Sequence, residues 1–546
     1  GDTSIVLKGV TFLLCFDTTP PACLPRRRAC VNLNRHAAQP AAPPPDVRDP
    51  IRPVVNKPMS KLPRTLGELR ASGYQPRRIR EEIRHNMIVA LRERRPIFPG
   101  IIGYDETVIP QVVHAVLAEH NFLLLGQRGQ AKTRLIRSLT DFLDDAVPII
   151  DGSLVPEDPL RPMTPTGRRL VAEAGDDLPI AWLERADRYQ EKLATPDVTI
   201  ADLIGDIDPI KAMSRKLDFS NEEVIHYGIV PRSNRCIFAI NELPDLQPRI
   251  QVGLLNILEE RDFQIRGFPI RMEIDIFMVF TANPEDYTNR GNIITPLKDR
   301  IEAQIITHYP ATLEDGIAII RQEALSHRNG HLKLHIGDLF LHLIEQTAIE
   351  ARQSDYVDRG SGVSARMPIT LLETVRSAME RRALLTGDDS AHARICDLYQ
   401  SISAITGKVE LVYKGEQEGI AKVAEHLIGR AVRERFNELF VPNYRHGRDP
   451  KYEFPEFLEV LQWFEAGNVL ELADTMPQAE FEKELGRVTG LRKTAQAKFP
   501  GQKGGELAAA MEFLLEGLAQ NFMLTKFRLT TGTRYADELF AMKADD

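Results

Sequence analysis

The sequence predicts an α/β fold with a parallel sheet, followed by a long helical region, and three observations lead to this fold class. The apolar run 121–125 is short, and such runs are typical of strands buried on both faces of a sheet. The run ends at Gly126, and an amphipathic helix is predicted from Lys132 to Leu143. Strand, glycine loop and helix in this order form the first unit of a doubly wound fold. From about Thr312 onwards the periodicity is almost wholly helical.

The remaining elements follow from periodicity and from the positions of apolar runs. A helix is predicted around 108–117, and residues 152–225 are polar and irregular, which favours loops and insertion helices. A hairpin is predicted over 263–272, with its turn at Gly267, Phe268 and Pro269. Further predicted elements are strands at 147–150, 236–240 and 274–281 and a helix at 247–261.

These elements divide the chain into five segments. Residues 1–58 hold 10 of the 36 prolines, so we expect a disordered leader, or sequence upstream of a true start at Met59. A targeting segment built on the apolar patch from Val10 to Phe16 is the less favoured alternative. A helical N-terminal segment is predicted for 59–100, and an α/β nucleotide-binding domain for 101–311, with an insertion at about 152–230. A helical lid over 312–385 and a helical C-terminal region over 386–546 complete the chain.

Composition argues against several classes of protein. The chain has 546 residues and a net charge of -8, whereas proteins that coat nucleic acid usually need a basic face. No apolar run approaches the ~18 residues that a membrane helix needs. The five cysteines form no Cys-x-x-Cys pair, so neither a zinc site nor a disulfide framework is expected. This cysteine usage favours a reducing cytoplasm.

The glycine loop carries the sharpest chemical signal. It consists of Gly126, Gln127, Arg128, Gly129, Gln130, Ala131, Lys132 and Thr133. In a phosphate-binding loop the glycines let backbone N–H groups wrap phosphates, the lysine reaches the β- and γ-phosphates of ATP, and the threonine holds Mg²⁺. Ala131 replaces the usual third glycine, and its small side chain preserves the cradle provided that its backbone is not left-handed. A plain glycine-rich turn is the alternative, which the flanking strand and helix disfavour.

Two further strand ends carry polar residues. Asn241 and Glu242 follow the strand at 236–240, where ATPases place one residue that supports Mg²⁺ and one that polarises the attacking water. Glu242 fits the second role, and Asn241 can orient a magnesium-bound water but brings no charge. Asn283 follows the strand at 274–281 and could hydrogen-bond the γ-phosphate or the water. Strand-end turns are the structural alternative for both places.

Three arginines are candidates for contacts with ATP. Arg300 lies beyond the last of these strands and could point into the ATP of a neighbouring subunit, and a surface ion pair is its alternative role. Arg290 is a weaker candidate for the same role. Arg366 precedes a helix predicted from Ile369 to Leu385 and could reach the γ-phosphate from the lid, although a capping or exposed role is equally compatible.

With these motifs in order, residues 95–385 resemble the AAA+ ATPases of the MoxR and magnesium-chelatase I-subunit group. The glycine loop is similar to the MoxR form, in which alanine stands at the position of Ala131. Further resemblances lie in the lead-in 101–105, the insertion residues 203–208 and 226–229, the hairpin 263–272, which is similar to a pre-sensor hairpin, and the stretch 406–419, to which no chemistry attaches. The asparagine at Asn241 departs from the usual aspartate, which puts magnesium affinity and turnover speed in doubt.

The resemblance implies roles and partners. It assigns Lys132 and Thr133 to ATP and Mg²⁺, Glu242 to catalysis, Asn283 to sensor 1, Arg300 to the arginine finger and Arg366 to sensor 2. It further implies a homo-oligomer, most simply a hexameric ring, that remodels a partner such as a von Willebrand factor A-domain protein.

Four functions remain open at this point. They are a ring ATPase that remodels a protein or drives metal insertion, a magnesium-chelatase subunit, a DNA-acting motor or transcriptional activator, and a nucleotide switch with impaired hydrolysis. The acidic net charge and the absence of a Gly-Ala-Phe-Thr-Gly-Ala loop disfavour the third, although Arg266 and Arg271 of the hairpin could face DNA.

Overall fold

The computed structural model describes residues 62–215, 222–265, 271–284, 291–324, 332–445 and 454–537. From Pro63 onwards the chain forms one compact unit, and the description below concerns that unit. The predicted leader, the hairpin turn at 267–269, Arg266 and Arg290 lie outside the described residues. Within the described ranges, no helix combines the length and the apolar character needed to cross a lipid bilayer.

Sixteen strands are present in the described part of the chain. They are β1 (Phe122–Leu125), β2 (Ala146–Ile150), β3 (Ile180–Glu184), β4 (Tyr189–Leu193), β5 (Gly205–Ile207), β6 (Ile225–Tyr227), β7 (Ile237–Asn241), β8 (Asp262–Gln264), β9 (Arg271–Glu273), β10 (Phe277–Ala282), β11 (Ala303–Ile306), β12 (Lys333–His335), β13 (Ser390–His392), β14 (Leu470–Ala473), β15 (Thr525–Leu529) and β16 (Gly532–Ala536).

The helices of the first half of the chain are mostly short. They are α1 (Leu66–Ala71), α2 (Ile79–Arg92), α3 (Val108–Leu117), α4 (Lys132–Ser138), α5 (Pro165–Ala174), α6 (Ile200–Leu203), α7 (Pro209–Arg215), α8 (Ile229–Arg232), α9 (Pro248–Gln251), α10 (Leu255–Glu259) and α11 (Thr295–Arg300). Helices of the second half include several long ones: α12 (Leu313–Glu323), α13 (Asp338–Gln353), α14 (Arg366–Thr386), α15 (Ile395–Gln400), α16 (Ile402–Thr406), α17 (Tyr413–Glu418), α18 (Ile420–Phe440), α19 (Leu458–Glu465), α20 (Gln478–Gly486), α21 (Leu491–Lys498) and α22 (Gly504–Gln520).

The central sheet has five parallel strands in the order β11-β1-β10-β7-β4. All six residues of β10 are buried, as expected for an inner strand covered on both faces. Strand β1 lies between β10 and β11, and its last residue, Leu125, is paired with Ala282 of β10. The predicted α/β fold with a parallel sheet is therefore confirmed, and the carboxyl ends of β1, β10 and β7 lie side by side.

Two strands of this sheet, β4 and β11, were not predicted. Residues 147–150 do form a strand, but β2 pairs antiparallel with β3 in a separate two-stranded sheet. One edge of the main sheet is β4, inside the segment predicted to hold only loops and insertion helices. Its residues are exposed or half-buried, and Leu193 is 52% exposed. Because an edge strand covered on one side lacks a continuous apolar run, its sequence does not resemble that of an inner strand.

Apolar packing divides the unit into layers. One face of the main sheet packs on α2 and α3, so that Ile83 of α2 shares a core with Phe122 of β1. The buried ion pair of Glu82 and Arg188, with N–O distances of 2.6 and 2.7 Å, ties α2 to the β4 side. The predicted helix over 247–261 forms from Pro248 to Glu259, with a 3₁₀ turn at Val252–Leu254.

The second half of the chain is predominantly helical, as predicted, and the helices of the lid and of the C-terminal region share one apolar core. This region also holds a three-stranded antiparallel sheet, β14-β16-β15, which was not predicted. Its strands alternate charged and apolar residues, as in Lys526, Phe527 and Arg528. Since the strands are short and β14 is distant in sequence from β15, the helical periodicity around them dominated the prediction.

Candidate functional site

A cavity of about 430 Å³ opens at the carboxyl ends of β1, β7 and β10. We call it the strand-end cavity, and its polar lining comes from the glycine loop, from both other strand ends and from the lid. These residues include Arg128, Lys132, Thr133, Asn241, Glu242, Thr281, Asn283 and Arg366. The sheet therefore brings together residues that lie as far apart in the sequence as Lys132 and Asn283, which are separated by 151 positions, as expected for a doubly wound fold.

Lys132 connects two of the predicted motifs. Its Nζ donates hydrogen bonds to the carbonyl oxygens of Gly126 and Gln127, the latter at 2.9 Å. The same ammonium group donates to Oδ1 of Asn283 at 2.7 Å. The positive charge is therefore held at the mouth of the loop, between β1 and β10, where it can meet an anionic ligand.

Asn241 and Glu242 are joined to β10 by Thr281. The Thr281 hydroxyl donates to Asn241 Oδ1 at 3.3 Å and accepts the backbone N–H of Glu242 at 3.0 Å. Glu242 has φ 56° and ψ 49°, a left-handed conformation that costs free energy for a residue with a side chain. Such strain persists where the surroundings fix the backbone, and it concentrates at functional sites. Sequence analysis assigned no role to Thr281.

Ala131 adopts the backbone conformation that the sequence analysis had required it to avoid. Its φ is 54° and its ψ is 16°, so the third glycine of the loop pattern is replaced by a residue in the left-handed region. The condition stated for an alanine at this position is therefore not met. Neighbouring bonds hold the loop in place, since Gln130 Oε1 accepts from the Thr307 hydroxyl at 2.7 Å and the Gln130 carbonyl accepts from the Tyr104 hydroxyl at 2.8 Å.

Tyr104 and Thr307 are contributions that motif analysis missed, although Tyr104 lies in the lead-in segment 101–105. The Tyr104 hydroxyl also donates to the His308 carbonyl at 2.9 Å, so that it connects the loop to the chain after β11. Burial raises the pKa of Tyr104 to about 12 and keeps it a neutral donor. The signal available in the sequence was a single tyrosine next to a glycine.

The loop before α14 covers the glycine loop. Gln127 Nε2 donates to the carbonyls of Arg359 at 2.7 Å and Gly360 at 3.0 Å. A Cβ atom on Gly129 would lie 2.0 Å from Ser364 Oγ, so only glycine fits there. Arg366 begins α14 at the wall of the cavity, with an exposed side chain. The lid thus places a cation at the wall of the strand-end cavity, and its contact with a γ-phosphate stays a prediction.

Comparison with curated proteins identifies two that are similar to this chain in sequence. Magnesium-chelatase subunit ChlI of rice, Oryza sativa subsp. japonica, is 25% identical over 253 residues, which are 43% of this chain and 55% of that protein. The corresponding protein of Oryza sativa subsp. indica is 25% identical over 248 residues, or 42% and 54% of the two chains. This part of the chain is therefore similar to the ChlI subunit of magnesium chelatase. The chain spans about half the length of the curated relatives it matches.

Comparison with family models and solved structures adds little to this similarity. No family model matches the chain. A complex of the magnesium-chelatase subunits BchI and BchD shows 17% identity and a TM-score of 0.31, and covers 59% of this chain and 98% of that one. NtrX of Brucella abortus in complex with ADP shows 12% identity and a TM-score of 0.26, and the match covers 47% of this chain and 45% of NtrX. Scores this low carry no argument about this chain.

Arg300, the predicted AAA+ arginine finger, does not join the other site residues of its own chain. It ends α11 outside the strand-end cavity, and its side chain is 29% exposed. Its guanidinium binds Glu259 at 2.5 Å and donates to the Pro296 carbonyl at 2.9 Å. A finger that acts on a neighbouring subunit would also lie apart from its own site, so this assignment stays a prediction. In the hairpin, Arg271 lies 3.3 Å from Asp262.

ATP and Mg²⁺ fit the donors of the strand-end cavity. The described residues contain no group of three or more His, Cys, Asp or Glu residues arranged to hold a metal ion by themselves. Magnesium is usually bound through few protein oxygens together with phosphate oxygens and water. The hydroxyl of Thr133, the amide of Asn241 and the carboxylate of Glu242 line one cavity with Lys132, which suits a metal–phosphate ligand.

Proposed function

We propose that this chain is an AAA+ ATPase that hydrolyses ATP in a ring of its own copies, hexameric by resemblance, to remodel a partner protein or to drive metal insertion. The observation that carries the proposal is the 2.7 Å hydrogen bond from Lys132 Nζ to Asn283 Oδ1 beside Glu242, in one cavity. These three residues end or follow three adjacent strands of the parallel sheet. Hydrolysis of a phosphate anhydride needs a cation, a water-orienting amide and a base at such a place.

Each residue has a separate task in this proposal. Lys132 binds the β- and γ-phosphates, while Glu242 accepts the proton of the attacking water and Asn283 orients that water or the γ-phosphate. Thr133 and Asn241 would hold Mg²⁺, which supplies charge neutralisation of the phosphates when bound. Arg366 contributes a second cation from the lid. Because Asn241 is uncharged, we expect weaker magnesium binding and slower turnover than an aspartate would allow.

The ring is supported by the position of Arg300, which cannot serve the cavity of its own chain in this arrangement. We expect Arg300→Ala to lower the rate of ATP hydrolysis by about 10³-fold or more while ATP affinity stays nearly unchanged. Lys298→Ala is the matched control, because Lys298 is an exposed cation on the same helix. An Arg300→Ala chain that hydrolyses ATP at the rate of the control would remove the finger assignment.

Mixing two inactive variants tests the shared site directly. A ring assembled from Arg300→Ala and Glu242→Gln chains contains interfaces in which an intact Glu242 faces an intact Arg300. The mixture should therefore hydrolyse ATP although neither variant does so alone, and the specific activity of the wild-type chain should rise with protein concentration. A mixture as inactive as its components, with wild-type activity independent of concentration, would contradict the ring.

The curated relatives favour one specific second candidate, an ATPase subunit of magnesium chelatase. In that case the partner would be another chelatase subunit and the task would be metal insertion into a tetrapyrrole. A von Willebrand factor A-domain partner and a cytoplasmic location belong to the first proposal. Stimulation of ATP hydrolysis by a chelatase subunit but not by an A-domain protein would favour the second candidate, and the reverse result would favour the first proposal.

A further inference from the structure

The segment 407–419, which we call the clamp segment, lies against the loop 356–365 that leads into α14. Val412 N–H donates to the Tyr356 carbonyl at 3.1 Å, and Asp358 N–H donates to the Glu410 carbonyl at 2.8 Å. A Cβ atom on Gly415 would lie 2.4 Å from the Tyr356 carbonyl oxygen, so that only glycine permits this approach. The clamp segment therefore pairs along its backbone with the loop that covers the strand-end cavity.

Glu410 extends this contact to the glycine loop itself. Its Oε1 accepts from Arg128 Nη1 at 2.8 Å, although the two residues lie 282 positions apart, and its Oε2 accepts from Ser361 Oγ at 2.5 Å. The Ser361 hydroxyl and the Arg128 guanidinium hold the pKa of Glu410 below its usual value, against the opposing effect of burial. One carboxylate thus joins the C-terminal half of the chain, the lid loop and the phosphate-binding loop.

The Arg128–Glu410 pair is suited to exchange of partners. Arg128 is one of the residues that line the strand-end cavity, so an anion bound there would lie close to it. The two side chains are 49% and 54% exposed, and pairs of this kind are weak because water solvates both charges. Two oxygens of a phosphate group can bind a guanidinium in the bidentate manner of a carboxylate, and the phosphate carries more charge. Glu410 and a bound phosphate can therefore compete for one cation.

The clamp segment also has a rigid connection to the rest of the molecule. It contains α17 and leads directly into α18, a helix of 21 residues. Val423 and Leu427 of α18 lie in the apolar core shared by the lid and the C-terminal region. A change at Glu410 is thus joined by covalent chain and packed side chains to the C-terminal helices.

We propose that Glu410 is a positioning residue that holds Arg128 in competition with bound phosphate, so that the clamp segment reports occupancy of the cavity to the C-terminal helices. This rests on the proposed function, because it requires a nucleotide in the strand-end cavity. By linkage, a ligand that loosens the Arg128–Glu410 pair is itself bound more tightly when the pair is removed.

Binding of Mg²⁺ and adenylyl-imidodiphosphate to the full chain, measured by calorimetry, tests this. We expect Glu410→Gln to tighten binding by about two- to fivefold at low salt, with a smaller effect at high salt. In an Arg128→Ala background the same substitution should have no effect. Glu416→Gln is the matched control, because Glu416 is an exposed carboxylate of the clamp segment.

Hydrogen exchange provides a second readout that a purely structural role would not affect. Nucleotide binding should speed exchange of the Val412 and Asp358 amides in the wild-type chain but not in Arg128→Ala. If Glu410→Gln binds the nucleotide like Glu416→Gln, or acts equally without Arg128, the clamp proposal is overturned while the ATPase proposal stands. A wild-type chain that binds no nucleotide would overturn both.

Discussion

Two polar clusters of this molecule differ in what they enclose. The strand-end cluster, built from Lys132, Asn241, Glu242 and Asn283, surrounds a cavity of about 430 Å³. The C-terminal charge cluster, built on α14, α15, α22 and β15, is closed. It consists of Arg382, Arg394, Asp397, Glu512, Glu516 and Lys526.

The carboxylates of the closed cluster are paired with its cations and with neighbouring buried tyrosines. Glu516 is fully buried and accepts from Lys526 Nζ at 2.7 Å, Tyr399 at 2.9 Å and Tyr535 at 2.8 Å. Arg382 and Asp397, 3% and 1% exposed, form a second pair at 2.8 Å. Buried charges that are paired in this way fix packing, and removing one partner is costly. Open volume and backbone strain, rather than charge alone, therefore distinguish a candidate site from a structural network.

The largest effect expected within the strand-end cluster is that of a substitution at Glu242. If Glu242 is the base, Glu242→Gln should lower the rate of ATP hydrolysis by about 10³-fold, or about 4 kcal/mol in activation free energy. Binding of ATP should persist, because Lys132 and the glycine loop are unchanged. Single-turnover hydrolysis measured beside equilibrium binding separates the two quantities.

Glu260→Gln is a suitable control for that measurement. Glu260 is an exposed carboxylate that follows α10 and does not line the strand-end cavity. Equal rates in the two variants would mean that Glu242 is not the base. Loss of ATP binding in Glu242→Gln would instead place this residue among the ligand-holding groups.

An intermediate effect, on stability, is expected in the closed cluster. Burial raises the pKa of Glu512 to about 7 from its ordinary 4.5. The Ile395 N–H and the Arg394 guanidinium lower this pKa, whereas the carboxylates of Asp397 and Glu516 raise it further. Between these two pH values the folded chain holds a proton that the unfolded chain has lost. The resulting stabilisation is complete below pH ~4.5 and disappears as pH rises through ~7, and amounts to about 3 kcal/mol.

Glu512→Gln should remove this part of the pH dependence. The difference in unfolding free energy between the variant and the wild type should shift in favour of the variant by about 3 kcal/mol from pH 4.5 to pH 8. Denaturant titrations at several pH values give this difference. Glu506 is an exposed carboxylate on the same helix, so Glu506→Gln should show no such shift. If the unfolding free energy of Glu512→Gln changed with pH as that of the wild type does, the raised pKa would be contradicted.

Much of the strand-end cluster could be predicted because each member follows a buried, apolar strand. Lys132, Glu242 and Asn283 lie beside one another for that reason alone. Strand β4 could not be predicted, since an exposed edge lacks the apolar run. Nor could the contact of Arg128 with Glu410, because a separation of 282 positions leaves no periodic signal and an exposed ion pair leaves no apolar one.

The smallest expected effect is on the free energy of unfolding, and it concerns the backbone strain at Ala131 in the glycine loop. Ala131 has φ 54°, whereas Ala118, which caps α3, has φ -86°. A left-handed alanine costs about 1–2 kcal/mol, and glycine avoids this cost but loses about 0.5–1 kcal/mol of chain entropy. Ala131→Gly should therefore stabilise the chain by about 0.5–1 kcal/mol, and Ala118→Gly should destabilise it by a similar amount.

Opposite signs in denaturant titrations of these two variants would establish strain in the glycine loop itself. If Ala131→Gly also lowers the rate of ATP hydrolysis, the strained alanine contributes to holding the phosphate-binding loop in its active form. Equal destabilisation by both substitutions would mean that the left-handed conformation of Ala131 carries no cost. The open volume and the left-handed backbone of Glu242 would then distinguish the cavity from the closed cluster.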